Sequence, residues 1–241
     1  MVKQRLNYVF KSQSMVVLIF LLFASAVSLS VIGGYSFIRH HSAYLNVPYL
    51  LNAVICMIQA FLRVFFAVSG IAVFRQAKND NGDMRKILKI IKAVSLIFAV
   101  LFLGYSVYSV FANITDHFLT VVSFFGVPFM IFLKLSSVSV SSSSLIKTLS
   151  TGENIRKGFI LFQVSSFVSF LLKLFYAGLC LTLVVAFQSQ TPIFDMCMLG
   201  LYVLEVWIDM MLFYFSNKCY TAVNNKADKV QMNYTYESRA E

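Results

Sequence analysis

The chain has 241 residues, 59% hydrophobic and 12% charged, with a mean hydropathy of +0.78. A soluble domain carries about twice that charged fraction, so the composition excludes an ordinary water-soluble globule and leaves no room for a soluble catalytic domain. The net charge of +10 does not point to nucleic acid, because it alternates between successive polar segments.

A helix needs about 20 apolar residues to cross a hydrocarbon layer of roughly 30 Å. Six runs meet that length, at about 15–38, 48–74, 93–112, 118–137, 158–187 and 193–216. The expected fold is therefore all-α: a polytopic integral membrane protein whose 15–216 domain is a six-helix transmembrane bundle. It is flanked by a polar N-terminal tail over 1–14 and a C-terminal tail over 217–241.

Lys and Arg outside these runs count 3, 1, 6, 0, 3, 0 and 4 in the seven successive polar segments. The N-tail has Lys3, Arg5 and Lys11, and the first loop has Arg39. The second loop has Arg75, Lys78, Arg85, Lys86, Lys89 and Lys92. Lys147, Arg156 and Lys157 flank the fourth, and Lys218, Lys226, Lys229 and Arg239 lie in the C-tail. Cytoplasmic segments carry the positive excess, so the alternation predicts both termini in the cytoplasm.

The elements follow in chain order. Residues 1–26 have a basic start, an apolar run and Ala24-Ser25-Ala26, as a signal peptide would. The apolar run continues to Ile38, however, which suits an uncleaved first span. Ala26, Ser30 and Gly34 recur at i, i+4 and i+8 in that span and predict a close helix contact. After the second span, "KNDNGD" is a turn. Asp80, Asn81 and Asp83 there lack the bidentate Glu of a calcium loop. Then "MRKILKIIK" over 84–92 reads as a basic interfacial helix start, suited to anionic inner-leaflet lipids.

Asn113-Ile-Thr115 is a glycosylation sequon close against the membrane, and Asn233-Tyr-Thr235 lies on the wrong side to be used. Gly126 and Pro128 predict a kink in the fourth span. "SSVSVSSSS" over 136–144 reads as a flexible cytoplasmic linker. Cys56, Cys180, Cys197 and Cys219 show no CxxC spacing and read as small packing residues. Cys219, at the inner edge of the last span, is also a palmitoylation candidate.

Polar residues inside the spans fall on stripes. Positions three or four apart share a helix face. The stripes are Asn52, Cys56, Gln59, Arg63, Ala67 and Gly70 in span 2, and Thr120, Ser123, Met130, Lys134 and Ser137 in span 4. Span 5 has Ser166, Ser169, Lys173, Tyr176 and Cys180, and span 6 has Asp195, Met198, Tyr202, Glu205, Asp209 and Ser216. Lipid does not solvate such faces, so they should point into the bundle.

Depth then selects partners. Spans 5 and 6 are joined by a short loop near 188–191, and Lys173 and Glu205 lie almost equally far from it along their helices. At 1.5 Å per residue both reach the bilayer centre side by side, so Lys173 should meet Glu205. Arg63 lies at the matching depth in span 2 and should reach Glu205, or Asp209 one turn below. The expected core is thus Arg63 and Lys173 against Glu205 and Asp209, with Gln59 and Tyr202 beside them. Lys134 is expected to snorkel toward the inner surface.

"FLRVFFA" at 61–67 resembles "LLKLFYA" at 171–177 and aligns Arg63 with Lys173. Such a match is the kind of trace an inverted three-plus-three repeat would leave.

No cofactor or metal site is expected. His40, His41 and His117 are too few and too peripheral for haem ligation. HExxH, GxSxG and P-loop motifs are absent, so an enzyme is not expected. The pattern implies a small transporter or channel-like protein. The alternatives are a non-catalytic accessory or scaffolding subunit of a larger membrane complex and a seven-helix-receptor-like sensor. Expected partners are the lipid bilayer, anionic inner-leaflet lipids at 75–92, and a second copy or other membrane subunits. The basic tails and serine-rich loops suit a eukaryotic plasma membrane or endomembrane.

Overall fold

A computed structural model describes residues 2–42, 47–79, 83–112, 118–151, 156–186 and 192–224. The described chain forms the helices α1 (Val2–Phe10), α2 (Gln13–Ser42), α3 (Val47–Lys78), α4 (Met84–Ala112), α5 (Phe118–Thr151), α6 (Arg156–Ala186) and α7 (Pro192–Asn224). The last six are long and apolar enough to cross a membrane, which makes the chain a multi-pass integral membrane protein. Their outward faces carry Phe20, Phe61, Val100, Phe175 and Trp207, each more than half exposed. Water does not tolerate so much continuous apolar surface, and acyl chains do. Both sequons, the loop around 188–191, and the C-tail beyond Asn224 lie outside the described residues. So do the side chains of His40, His41, His117, Thr120, Ser123, Cys180 and Asp195.

The six long helices pack as three antiparallel hairpins, α2–α3, α4–α5 and α6–α7. Contacts of α5 with α6 and of α2 with α7 join the hairpins, and α3 meets α4 along the slightest seam. Together they close a ring. An inverted repeat would make α2–α3 the counterpart of α5–α6 and α3–α4 the counterpart of α6–α7. Instead α3–α4 is slight and α6–α7 extensive, so the packing does not share the symmetry that the short sequence match suggests.

Three expectations are corrected by the packing. First, the serine-rich stretch is not a linker. It continues α5 to Thr151, and Ser137, Ser139, Ser142 and Ser144 are buried. Serine hydroxyls in a helix can bond back to the preceding turn, as Ser144 does to the Val140 carbonyl and Ser141 to that of Val138. Their small size lets neighbours come close. Ser139 Oγ donates to the Lys92 carbonyl of α4 at 3.3 Å, and Ser165 Oγ of α6 donates to Ser137 Oγ at 2.7 Å. At Gly158 a Cβ would fall 2.0 Å from Ser144 Oγ and 2.8 Å from its Cβ, so only glycine fits that α5–α6 crossing.

Second, only the start of the Ala26, Ser30 and Gly34 stripe of α2 is in close contact, Ala26 being buried. Ser30 is exposed, and nothing lies within 4 Å of a Cβ built on Gly34. The face in use runs through Leu22, Ser25, Leu29, Ile32 and Ser36, all buried. Gly33 lets Cys56 approach, its added Cβ being 3.1 Å from that of Cys56. Asn52 Nδ2 donates to Ser36 Oγ at 2.9 Å.

Third, Cys219 is buried rather than presented for acylation. It packs in one apolar cluster with Leu6, Val9 and Phe10 of α1, Val73 and Ala77 of α3, Met84 and Phe159. The N-terminal residues are thus not merely a polar tail. Leu6, Val9 and Phe10 share one face of α1 at helical spacing, and that face seals the ring at the end where the basic segments gather. Phe10 leans on Phe215 with ring centroids 5.4 Å apart.

Asp83 precedes α4 and accepts from the Arg85 amide at 3.1 Å and from its guanidinium Nε at 2.9 Å. That pairing holds the exposed Asp83 carboxyl below its ordinary range and satisfies one free donor of the helix start. Pro128 lies inside α5, which continues as helix on both sides.

The docking of α1 generates a test. In a variant retaining only Cys219, the thiol should resist a membrane-impermeant maleimide. Leu6→Asp would place a carboxylate in a site that is 0% exposed and should release α1, so that Cys219 labels at least about tenfold faster. Equal labelling of the two proteins would mean that α1 does not cover Cys219.

Candidate functional site

The intramembrane charges converge on two carboxylates of α7. Glu205 and Asp209 are four residues apart, so they share a face one turn apart. Lys173 of α6 lies between them, with Nζ 2.7 Å from Glu205 Oε2 and 2.9 Å from Asp209 Oδ2. The guanidinium of Arg63, from α3, pairs with Glu205 Oε2. Lys134, from α5, pairs with Asp209 Oδ1. Two hydroxyls complete the shell. Ser25 of α2 donates to Glu205 Oε1, and Ser169 of α6 donates to Asp209 Oδ2 at 2.7 Å. Five of the six long helices therefore send a side chain to one cluster.

Burial is nearly complete. Side-chain exposure is 0% for Asp209, 8% for Glu205, 12% for Lys173 and Lys134, and 16% for Arg63. An ion in such surroundings costs several kcal/mol unless it is paired and its remaining hydrogen-bonding capacity is met. Each carboxylate here holds two cations and a hydroxyl, which offsets much of that cost.

The expected Lys173–Glu205 and Arg63–Glu205 pairs are both present. The expectation for Lys134 is corrected: it does not snorkel to the surface but turns inward to Asp209. The physical reason is geometric. α5 runs a further fourteen residues past Ser137 as helix, to Thr151, so Lys134 sits deeper than a span ending at 137 implies. Ser25 is absent from the expected set, and its spacing from Ser36 is the available signal. Eleven residues are about three turns, which puts both hydroxyls on one face of α2. Gln59 and Tyr202, both expected beside the charges, line the same cavity as Arg63 and Glu205.

That cavity lies inside the ring and has a volume of about 570 Å³. It reaches from Phe10 and Cys219, near α1, to Asn52 and Pro128 toward the other end. Its wall is largely apolar but includes Arg63, Lys134, Lys173 and Glu205. One turn beyond Lys173 and Glu205, away from α1, Tyr176 and Tyr202 stack at 5.7 Å and 18°. Tyr105 of α4 also reaches the wall. Among the described residues no group of three His, Cys, Asp or Glu is placed to hold a metal ion.

Fold and cluster together define a class: a multi-pass membrane protein with six span-length helices and a buried ion network beside a cavity. Comparison with protein-family models, with curated proteins and with solved structures finds no match.

The network makes a graded prediction for stability in nanodiscs. Ser25→Ala removes one hydroxyl from Glu205 and should cost about 1 kcal/mol. Asp209→Asn leaves Lys134 without its counter-charge and should cost about 3–5 kcal/mol. Thermal unfolding should rank the proteins in that order, and equal midpoints for wild type and Asp209→Asn would contradict the pairing.

Proposed function

We propose that this chain is a small transporter or channel-like protein whose solute occupies the cavity bounded by Arg63, Lys134, Lys173 and Glu205. The observation that carries this reading is the adjacency of an internal cavity of about 570 Å³ to a buried ion network. A network that only fixed helix register would be served as well by a sealed core. Here four of the five ions stand on the wall of a space of ligand size, with polar groups converging on one region of an apolar enclosure. Ionisable groups inside a membrane bundle commonly mark substrate or ion pathways.

The reading also assigns an orientation. The basic segments gather at the α1 end, and positive residues favour the cytoplasmic side, so both termini face the cytoplasm and α1 lies over the inner mouth. The accessory-subunit alternative would use the charges to pair with a partner's helices. All five find partners within this chain, which favours an autonomous protein.

Glu205→Gln tests the proposal. Lys173 retains Asp209 and the Gln amide oxygen still accepts from Ser25, but Arg63 loses its counter-charge. Assembly is therefore verified first, and the Arg63→Gln/Glu205→Gln double variant, which removes both charges, is assayed alongside. Proteoliposomes would be assayed with a panel of labelled small anions, cations and neutral solutes. Wild type should carry at least one solute above empty liposomes, and Glu205→Gln should lower that flux about tenfold or more. Normal assembly with unchanged flux would reject the site, and no flux of any solute from wild type would reject transport.

A further inference from the structure

Among the described residues, the charges on the cavity wall do not balance. Arg63, Lys134 and Lys173 all reach it, while Glu205 is the one carboxylate of the cluster that does. Asp209, with 0% side-chain exposure, lies behind the lysines and does not line the space. The cluster as a whole carries three formal positive charges against two negative. Each carboxylate already serves two cations: Glu205 holds Arg63 and Lys173, and Asp209 holds Lys134 and Lys173. Lys173 is shared between both at 2.7 and 2.9 Å, so two carboxylates are spread over three cations. One further negative charge would make the cluster neutral.

The rest of the wall says what should carry that charge. Leu18, Leu22, Phe66, Ile131 and Leu201 line it, and a small hydrated inorganic anion would leave them facing unfavourable water. A molecule with one anionic head and an apolar body would satisfy both regions, the head at the lysines and the body along the leucines. We infer that the cavity takes a monoanionic amphiphile, with a carboxylate or phosphate head bound by Arg63, Lys134 and Lys173 and an apolar tail held by the surrounding helices. The inference rests on the reading of this cavity as the solute chamber, and it names the class of solute.

Such an anion can come from water or from the bilayer, where an acidic phospholipid could slip its head between α3 and α4 at the slightest seam of the ring. Calorimetric titration of the full-length protein in phosphatidylcholine nanodiscs, with heats from empty discs subtracted, separates the possibilities. The probes are octanoate, octanamide and octylammonium at neutral pH, alike in tail and different in charge. Octanoate should bind saturably and at least about tenfold tighter than the other two, as expected of a charge-assisted contact. Lys134→Gln leaves two cations against two carboxylates, a balanced cluster that should still fold, and it should weaken octanoate about tenfold or more. If discs doped with phosphatidylglycerol abolish octanoate binding, the occupant is the acidic lipid. If octanoate binds equally in both discs, it is a water-borne anion. Either result supports the inference.

Octylammonium binding as tightly as octanoate, or no octanoate heat above empty discs, would overturn it. The two proposals fail separately. Octanoate binding without flux of any solute would remove transport and leave the anion site. Cation flux without octanoate binding would do the reverse.

Discussion

Everything in this bundle is subordinate to two carboxylates on one face of α7. Glu205 and Asp209 sit a turn apart in a segment whose neighbours are acyl chains and apolar helices, and neither can remain there alone. A single Lys, Arg or Asp at the centre of a spanning helix costs roughly 2.5–3.5 kcal/mol on insertion scales. Lys173 bridges both carboxylates, Arg63 and Lys134 each take one, and Ser25 and Ser169 fill remaining acceptor sites. Because those groups come from α2, α3, α5 and α6, satisfying α7 fixes the rotation of four other helices. Apolar packing in lipid is nearly indifferent to which face of a helix turns inward. The ions supply the specificity that hydrophobicity does not.

The same constraint shapes the space beside the ions. A cation that answers a carboxylate from another helix brings its long stem with it. Arg63, Lys134 and Lys173 therefore hold three helices apart as well as together, and the cavity occupies the interval. The stack of Tyr176 on Tyr202 bounds the charges on one side. At the other end, the Leu6–Val9–Phe10 face of α1 closes over Val73, Ala77 and Cys219. In the proposed transport reading these are the two barriers a solute meets.

Much of this was legible in the sequence, for reasons that also mark where legibility ends. Six spans follow from run length. Lys173 against Glu205 follows from counting residues out from one short loop, because the rise per residue is fixed and the helices are antiparallel neighbours. Arg63 follows from the same arithmetic. Lys134 does not, because its depth depends on where α5 ends, and a serine-rich segment read by composition looks like a loop. In the packed structure those serines satisfy their hydroxyls on their own helix and on α4, and become a close-contact surface. Ser25 was hidden because α2 is rich in small residues on several faces, and small-residue spacing alone does not say which face is used. The docked α1 was missed because nine residues with Lys3 and Arg5 read as a polar tail. Only the tertiary contact of Leu6 and Phe10 gives that short helix a reason to form.

The most direct test of the account is a double-mutant cycle on Lys173 and Glu205, using Lys173→Met and Glu205→Leu singly and together, read as unfolding free energy in lipid. If the two ions exist for each other at the bilayer centre, each single change leaves a buried charge short of its partner. The pair should then show a coupling energy of about 1–3 kcal/mol, with the double variant more stable than the sum of the two losses implies. Additive losses would mean that Lys173 and Glu205 do not meet, and the cluster as the organising element of the bundle would be wrong.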